Sequence, residues 1–352
     1  MKSLEQIVSE IQPLDQGAAE AAGRHLDSLT KPPGSLGKLE EVARQLAGMS
    51  GKTIPEPGKK AVIVMAGDHG VCEEGVSAFP AEVTPQMVLN FLNGGAAVNV
   101  LARHTGAEVV CVDIGVNADL EHPQLVSRKI RKGTRNMAVE PAMTEQEAVD
   151  AILVGVQVVQ ELVDQGYSLF ATGEMGIGNT TPSSAILAVL TGTEVGTTVG
   201  RGTGIDDDRL RHKQAVIERA IERNRPDAGR PLDVLAKVGG LEIAGLTGVI
   251  LGAALNRCPV VIDGFISSAA ALLASRIAPH SASYMIASHL SQEQGHALLL
   301  EAVGISPMLR MDMRLGEGTG AVLAFPLIEA AVKIMREMAT FANAGISTAL
   351  DA

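Results

Sequence analysis

The sequence predicts an α/β protein built on a parallel sheet that is covered by helices on both faces. Two observations lead to this fold class. Short runs of β-branched residues alternate with segments of helical periodicity along most of the chain, whereas both chain ends are helical and contain no strands. A content of 38 glycines and only 2% aromatic residues also favours tight turns and aliphatic packing.

Short apolar runs that are rich in β-branched residues have the composition of buried strands. They are Ala61–Ala66, Glu108–Ile114, Ser168–Thr172, Pro259–Asp263 and Ser283–Ala287. The segments between them have helical length and helical spacing of apolar residues. They are Pro85–Leu101, Thr144–Gln165, Ser183–Leu190, Asp206–Arg223, Leu241–Leu255 and Phe265–Ile277. This alternation is typical of a doubly wound parallel sheet.

The two chain ends have a different character. Helices without intervening strands are predicted at Leu4–Leu29, Gly37–Met49 and Leu327–Ala342. We expect these helices to pack together as a small subdomain. The predicted division is an α/β domain of residues 58–326 and a helical subdomain of residues 1–57 with 327–352.

Composition excludes several classes of function. The net charge of −11 disfavours nucleic acid and anionic membrane surfaces as partners. The sequence shows no signal-peptide core and no run of about twenty apolar residues, so membrane insertion is not expected. Cys72, Cys111 and Cys258 are odd in number and widely separated, which favours reduced thiols over disulfides or a zinc site. We therefore expect a cytoplasmic protein.

Small and acidic residues lie at or directly after the ends of four predicted strands. The segments are Gly67-Asp68-His69-Gly70, Asp113-Ile114-Gly115, Gly173-Glu174-Met175-Gly176 and Asp263-Gly264. In open parallel sheets ligands bind in the crevice outside the carboxyl ends of the strands, so these residues are candidates for a site. No second histidine lies at metal-ligand spacing from His69, and a capping or core role is predicted for it.

The segment Thr172–Pro182 reads as a strand, a glycine loop and the start of a helix. Such a loop can direct backbone N–H groups, the Asn179 amide and the hydroxyls of Thr180 and Thr181 onto a phosphate at the positive end of a helix. A tight turn with ordinary helix caps is the alternative that the pattern leaves open.

Two further glycine loops occur. The first, Gly200–Gly204, precedes Asp206-Asp207-Asp208, which favour the start of a helix; Lys213 on that helix would, by itself, be interpreted as solvated. In the second, Arg314–Gly320, glycines flank Glu317. Partial burial would give this carboxylate the pKa of a general base, but a surface turn with a solvated side chain fits the pattern equally.

Taken together, these loops resemble the nicotinate-nucleotide:dimethylbenzimidazole phosphoribosyltransferase family of cobalamin lower-loop assembly. The resemblance runs along nearly the whole chain. It is carried by the segments Thr30-Lys31-Pro32-Pro33-Gly34-Ser35-Leu36-Gly37, Gly67-Asp68-His69-Gly70-Val71, Gly173–Thr181 and Arg314–Gly320.

The resemblance implies a homodimeric, Rossmann-like α/β enzyme with a small helical domain from both chain ends and no cofactor. It implies transfer of the phosphoribosyl group of nicotinate mononucleotide to 5,6-dimethylbenzimidazole or a related base. Nicotinate and α-ribazole 5′-phosphate are the products, and inversion at the anomeric carbon implies a single displacement.

By the same resemblance Glu317 is the catalytic base. The residues implied to hold the nucleotide are Glu174, Gly176, Ile177, Gly178, Asn179, Thr180 and Thr181. Phosphate contacts are implied for Gly202, Thr203, Gly204 and Lys213, with Asp263 and Ser291 nearby. The residues expected to line the base pocket are Phe79, Gln86, Met87 and Leu315. Because family members differ in this pocket, the preferred base stays open.

Two other functions remain open on the sequence. A phosphatase-like or kinase-like enzyme could hold a divalent metal with Asp68, Asp113 and Asp263, and a chelator would then abolish its activity. A non-catalytic protein could bind nicotinate mononucleotide through the same loops, and replacement of Glu317 would then change no rate.

Overall fold

A computed structural model describes residues 2–56, 58–202 and 204–347 and contains a six-stranded, entirely parallel sheet of order β3-β2-β1-β4-β5-β6. The strands are β1 (Lys59–Gly67), β2 (Glu108–Gly115), β3 (Val126–Ser127), β4 (Tyr167–Met175), β5 (Val260–Ile262) and β6 (Met285–Ala287). Two short strands, β7 (His289–Leu290) and β8 (Leu309–Arg310), form a separate parallel pair. The order of the main sheet is that of a doubly wound dinucleotide-binding fold, so the predicted fold class is confirmed.

Helices connect the strands and form both chain ends. They are α1 (Leu4–Glu10), α2 (Gln16–Ser28), α3 (Lys38–Ser50), α4 (Val83–Leu92), α5 (Ala97–Thr105), α6 (Glu145–Asp164), α7 (Thr180–Thr191), α8 (Val195–Thr198), α9 (Asp207–Asn224), α10 (Pro231–Val238), α11 (Leu241–Leu255), α12 (Phe265–Ile277), α13 (His296–Val303), α14 (Thr319–Glu337) and α15 (Phe341–Ala344). Within the described ranges, none of these helices combines the length and apolar character that crossing a bilayer requires.

The central strand β1 is buried on both faces. Its residues from Ala61 to Gly67 are all buried, although side chains alternate between the two faces of a strand. Met65 packs under Gly245 of α11, whereas Val62 lies against Gly318 at the start of α14. Helices therefore cover the sheet from both sides, and the carboxyl ends of the strands are left to form a crevice.

Three predicted helical segments were wrong in their extent. Leu4–Leu29 is divided into α1, which ends at Glu10, and α2, which starts at Gln16. Pro85–Leu101 is not one helix, because α4 ends at Leu92 and α5 starts at Ala97 after a turn in which Gly94 has φ 75°. At the carboxyl end, the prediction Leu327–Ala342 misses both ends of the helix, because α14 begins at Thr319, continues through Pro326 and ends at Glu337.

The two chain ends contact each other. Leu29 and Thr340 form an antiparallel bridge, the Thr30 N–H donates to the Ala339 carbonyl at 3.0 Å, and a ring nitrogen of His25 contacts the Met335 carbonyl at 2.7 Å. The proposed boundary between residues 326 and 327 falls inside α14, and the division into two domains stays a prediction.

Candidate active site

A cavity of about 490 Å³ lies where the strands of the main sheet end. Its wall includes Glu174–Thr180, which follow β4 into α7, and Asp263–Ser267, which follow β5 into α12. The turn before α14 closes it with Arg314–Glu317. Polar groups from three separate segments therefore face one enclosed space, at the edge of the sheet where doubly wound proteins bind ligands.

Glu317 is held in the turn that precedes α14. Its backbone has φ 62°, a left-handed conformation that residues other than glycine rarely adopt, and Gly316 and Gly318 beside it have φ 89° and 94°. Its carboxylate oxygen Oε2 accepts a hydrogen bond from the Val98 N–H at 3.2 Å, in the first turn of α5. The carboxylate therefore lines the cavity at the positive end of a helix.

Glu174 lies next to this turn and is also buried. Its carboxyl group accepts hydrogen bonds from the Asn179 amide and from the Glu317 N–H, the latter at 3.4 Å. A Cβ atom on Gly316 would lie 2.3 Å from Glu174 Oε1, so only glycine fits at that position. The backbone of Glu317 thus connects the two carboxyl groups, because its N–H donates to Glu174 and its Cα carries the Glu317 side chain.

The environments of these two carboxyl groups raise both of their pKa values. Burial, reinforced by the charge of Asp263, raises the pKa of Glu174 to about 8, and this group is therefore mostly protonated at neutral pH. Burial also raises the pKa of Glu317, while the Val98 N–H opposes the shift and Asp263 adds to it. Such a pair is typical of sites in which one carboxyl group stays neutral and the other accepts a proton.

Asp263 caps α14 from a distant part of the chain. Its Oδ2 accepts from the Gly318 N–H at 3.2 Å and its Oδ1 from the Ala321 N–H at 2.9 Å, while His289 Nδ1 lies 4.0 Å from Oδ1. Both carboxylate oxygens therefore hold the beginning of α14. This contact fixes the turn that carries Glu317.

A buried cation lies behind the cavity wall, next to Thr180. Lys213 on α9 is only 1% exposed, and its Nζ donates to Thr180 Oγ1 at 2.7 Å and to the Gly200 carbonyl at 3.4 Å. Burial lowers the pKa of Lys213 to about 8, against the effect of the Glu293 charge, so the ammonium group predominates at neutral pH. Because Thr180 is the first residue of α7, this cation and a helix N-terminus meet at one point and favour an anion.

The mouth of the cavity is apolar. Phe79 and Leu315 are 53% and 59% exposed, unusually large fractions for such side chains, and Val76, Val83 and Met87 continue the apolar wall. A planar aromatic ligand can replace water at these surfaces.

Comparisons with known proteins identify the chain. The model of a family described as phosphoribosyltransferase matches residues 11–346. The nicotinate-nucleotide–dimethylbenzimidazole phosphoribosyltransferase of Chloroflexus aggregans is 60% identical over 348 residues, which cover 99% of both chains. The chain belongs to this family. The enzyme of the same name from Desulforamulus reducens is 59% identical over 349 residues, again 99% of both chains.

Solved structures agree with this family membership. The crystal structure of CobT from Thermus thermophilus has a TM-score of 0.91 to this phosphoribosyltransferase at 48% identity, covering 95% of this chain and 100% of that one. A second crystal structure, of the nicotinate-nucleotide-dimethylbenzimidazole phosphoribosyltransferase from the same organism, has a TM-score of 0.90 at 47% identity and covers 96% and 100%. The predicted family and enzyme class are therefore confirmed.

The cavity of this phosphoribosyltransferase brings most of the predicted site residues together. Those that line it are Phe79, Met87, Glu174, Gly176, Ile177, Gly178, Asn179, Thr180, Gly202, Asp263, Ser291, Leu315 and Glu317. Lys213 and Thr181 are buried behind this wall, and Gln86 and Gly204 are exposed outside it. Thr203 lies outside the described residues. The contacts of all these residues with a ligand stay predictions.

Several lining residues were not predicted from the sequence. They include Val76, Val83, Phe265, His289 and Glu293. Glu293 follows Ser291 by two residues, and the acidic side chain in a short polar turn before α13 was the pattern that could have indicated it. The apolar residues carry no such pattern, since a wall residue and a core residue look alike in a sequence.

The aspartates of the metal-dependent alternative have separate partners. Asp68 accepts from the Asn117 N–H at 2.7 Å, Asp113 pairs with Lys129 at 3.0 Å, and Asp263 caps α14. Across residues 2–56, 58–202 and 204–347, no group of three or more His, Cys, Asp or Glu side chains is arranged to hold a metal ion. His69 is buried and contacts Glu242 Oε1 at 2.7 Å, a core role as predicted.

Proposed function

We propose that this phosphoribosyltransferase transfers the 5-phosphoribosyl group of nicotinate mononucleotide to 5,6-dimethylbenzimidazole or a related base, in assembly of the cobalamin nucleotide loop. One observation carries the proposal. Glu317, a carboxylate with a raised pKa, faces a cavity that has exposed apolar side chains in its wall and a buried cation behind the lining residue Thr180. The names of the similar enzymes from Chloroflexus aggregans and Desulforamulus reducens support this substrate pair.

The nucleotide would bind with its phosphate toward Lys213. The ammonium group, the Thr180 hydroxyl and the N-terminus of α7 would hold the phosphate oxygens. The ribose would then lie across the Gly176–Gly178 loop. A Cβ on Gly176 would lie 2.4 Å from the Gly67 carbonyl, so glycine is required here for the close packing of this loop against the end of β1.

The transfer is a single displacement at the anomeric carbon. One nitrogen of the bound base attacks that carbon from the face opposite nicotinate, and the bond from the carbon to the pyridine nitrogen breaks. The nicotinate ring leaves with the bonding electron pair and neutralises its own positive nitrogen. The other nitrogen of the base gives its proton to Glu317, so that the ribazole phosphate is formed uncharged at the base.

Charge that develops on the ribose would be stabilised unequally by the two carboxyl groups. Glu174 contributes little negative charge at neutral pH, because burial raises its pKa to about 8. We therefore assign Glu174 to holding the Asn179 amide and the Glu317 turn in place. This preorganisation reduces the loss of orientation freedom in the transition state.

The proposed reaction is tested by incubating the purified protein with nicotinate mononucleotide and a panel of bases that includes 5,6-dimethylbenzimidazole, benzimidazole, adenine and a phenol. Chromatography and mass measurement should find nicotinate and an α-ribazole phosphate in equal amounts. Chelator should not change the yield. No product with any base would leave nucleotide binding as the better function, and loss of product with chelator would favour the metal-dependent alternative.

We expect kcat/KM to decrease on the acid side of its pH profile, with a midpoint at a pH above the ordinary pKa of a glutamate. The active form of Glu317 is ionised, so kcat/KM falls as the pH decreases through its pKa, which burial raises. The measurement is kcat/KM between about pH 4 and 9. The concentration of the base is corrected for its own protonation, followed by absorbance. A rate that stays constant down to about pH 4 would contradict the assignment.

We further propose that the enzyme is a cytoplasmic homodimer. The reduced state expected of Cys72, Cys111 and Cys258 supports the location, and the family resemblance supports the dimer. Sedimentation at several protein concentrations tests the dimer, and a monomer at all of them would contradict it.

A further inference from the structure

Glu293 lies near the buried cation. It lines the cavity in the turn before α13, and its N–H donates to Ser291 Oγ at 3.3 Å. Its carboxylate interacts electrostatically with both Lys213 and Arg314, and the Gly202 N–H donates to it. Arg314 in turn donates to the Gly202 carbonyl at 3.4 Å. One acidic side chain therefore lies between two cations and a loop N–H.

This carboxylate packs tightly against the glycine loop. A Cβ on Gly200 would lie 2.2 Å from Glu293 Oε2, and a Cβ on Gly202 would lie 3.4 Å from Lys213 Nζ. The acidic group and the buried ammonium thus approach the same short loop. Burial raises the pKa of Glu293, whereas the charges of Lys213 and Arg314 and the Gly202 N–H oppose that shift.

A carboxylate and a phosphate are bound by the same groups. Both are anions that accept hydrogen bonds from N–H donors and pair with lysine and arginine. Two anions at one cation repel each other strongly where water is excluded, so the second can enter only if the first moves away or takes up a proton.

We propose that the Glu293 carboxylate occupies the phosphate site of the free enzyme as an internal anion, and that a phosphate ester must displace it to bind. This inference rests on the proposed function, because that function places the phosphate beside Lys213. It makes Glu293 a specificity-determining residue. Free inorganic phosphate lacks the ribose and pyridine contacts that help the substrate to displace the carboxylate, and it is therefore held weakly.

Titration of the purified enzyme with inorganic phosphate, followed by calorimetry at constant ionic strength, tests the inference. The Glu293→Gln variant keeps the shape of the side chain and removes its charge, and it should bind phosphate about tenfold more tightly than the unaltered enzyme. The matched control is Glu301→Gln, a substitution of an exposed glutamate on the neighbouring α13, which should leave phosphate affinity unchanged. Phosphate affinity that is equal or weaker in Glu293→Gln would overturn the inference.

A second variant separates the effect of the charge at position 293 from the effect of packing. Glu293→Asp keeps the charge on a shorter side chain, so its phosphate affinity should stay near that of the unaltered enzyme. Tight binding by the aspartate variant as well would mean that packing, and not charge, sets the affinity, and this too would overturn the inference. The titration needs no turnover. Failure of the proposed reaction is seen separately, as an absence of ribazole phosphate from the unaltered enzyme.

Discussion

Replacement of Glu317 by glutamine is expected to lower kcat by about 10²- to 10⁴-fold, the usual contribution of a general base. Glutamine has nearly the same shape as glutamate but cannot accept the proton of the attacking base. The side-chain oxygen can still accept from the Val98 N–H, so the turn before α14 and the affinity for nicotinate mononucleotide should be retained. The measurement is steady-state kinetics together with nucleotide binding by calorimetry.

The control for this variant is Glu337→Gln, at the far end of α14, where the side chain is exposed and only 3.9 Å from Lys333. Its kcat should be unchanged. The acid limb of the pH profile should disappear in Glu317→Gln, because the group that titrates has been removed. If kcat in that variant were within about twofold of the control, Glu317 would not be the base.

Replacement of Lys213 by methionine is expected to raise KM for nicotinate mononucleotide on the order of 100-fold, about 3 kcal/mol. Methionine fills a similar volume but carries no charge. The variant should therefore lose the ion pair to the phosphate and leave Thr180 Oγ1 without its donor. The measurement is KM and kcat at saturating 5,6-dimethylbenzimidazole, with nicotinate release as the signal.

Two comparisons separate loss of binding from loss of folding. Lys333→Met removes an exposed lysine and should leave KM unchanged. Thermal unfolding of Lys213→Met should remain one cooperative transition, at a lower temperature than in the unaltered enzyme, because the variant leaves the Thr180 hydroxyl without its donor and Glu293 without one of its two cations. A KM equal to that of the Lys333→Met control would remove Lys213 from the phosphate site.

Five of the six strands of the main sheet and the glycine loops could be predicted from the sequence because their causes are local, whereas the two-residue strands β3, β7 and β8 were missed. Runs such as Ala61–Ala66 are apolar on both faces, as a covered parallel strand must be, and four of the five predicted strands are followed directly by glycine. The break between α4 and α5 was missed, although Gly94 and Gly95 indicated it. That break creates the helix N-terminus whose Val98 N–H contacts Glu317.

The beginning of α14 could not be predicted, because its cap comes from far along the chain. Gly318 has no side chain to cap the helix, and the carboxylate of Asp263 performs that role across the crevice. The predicted helix therefore started only after Pro326. The burial of Lys213 was equally hidden: α9 is mostly polar, and only the packing of α9 against α7 removes this side chain from water.

The course of α14 connects the turn that carries Glu317 to both ends of the polypeptide. The helix has 19 residues and therefore acts as a rod about 28 Å long. At its beginning, beside Glu317, the helix is held by hydrogen bonds to Asp263. Near its other end, His25 and Thr30 of the amino-terminal segment contact the carbonyl groups of Met335 and Ala339. Pro326 lacks an N–H for the helical ladder and is the point at which the rod bends most easily. Truncation of the chain ends, or a tag fused to them, would therefore change the orientation of the Glu317 carboxylate and leave its pKa unchanged.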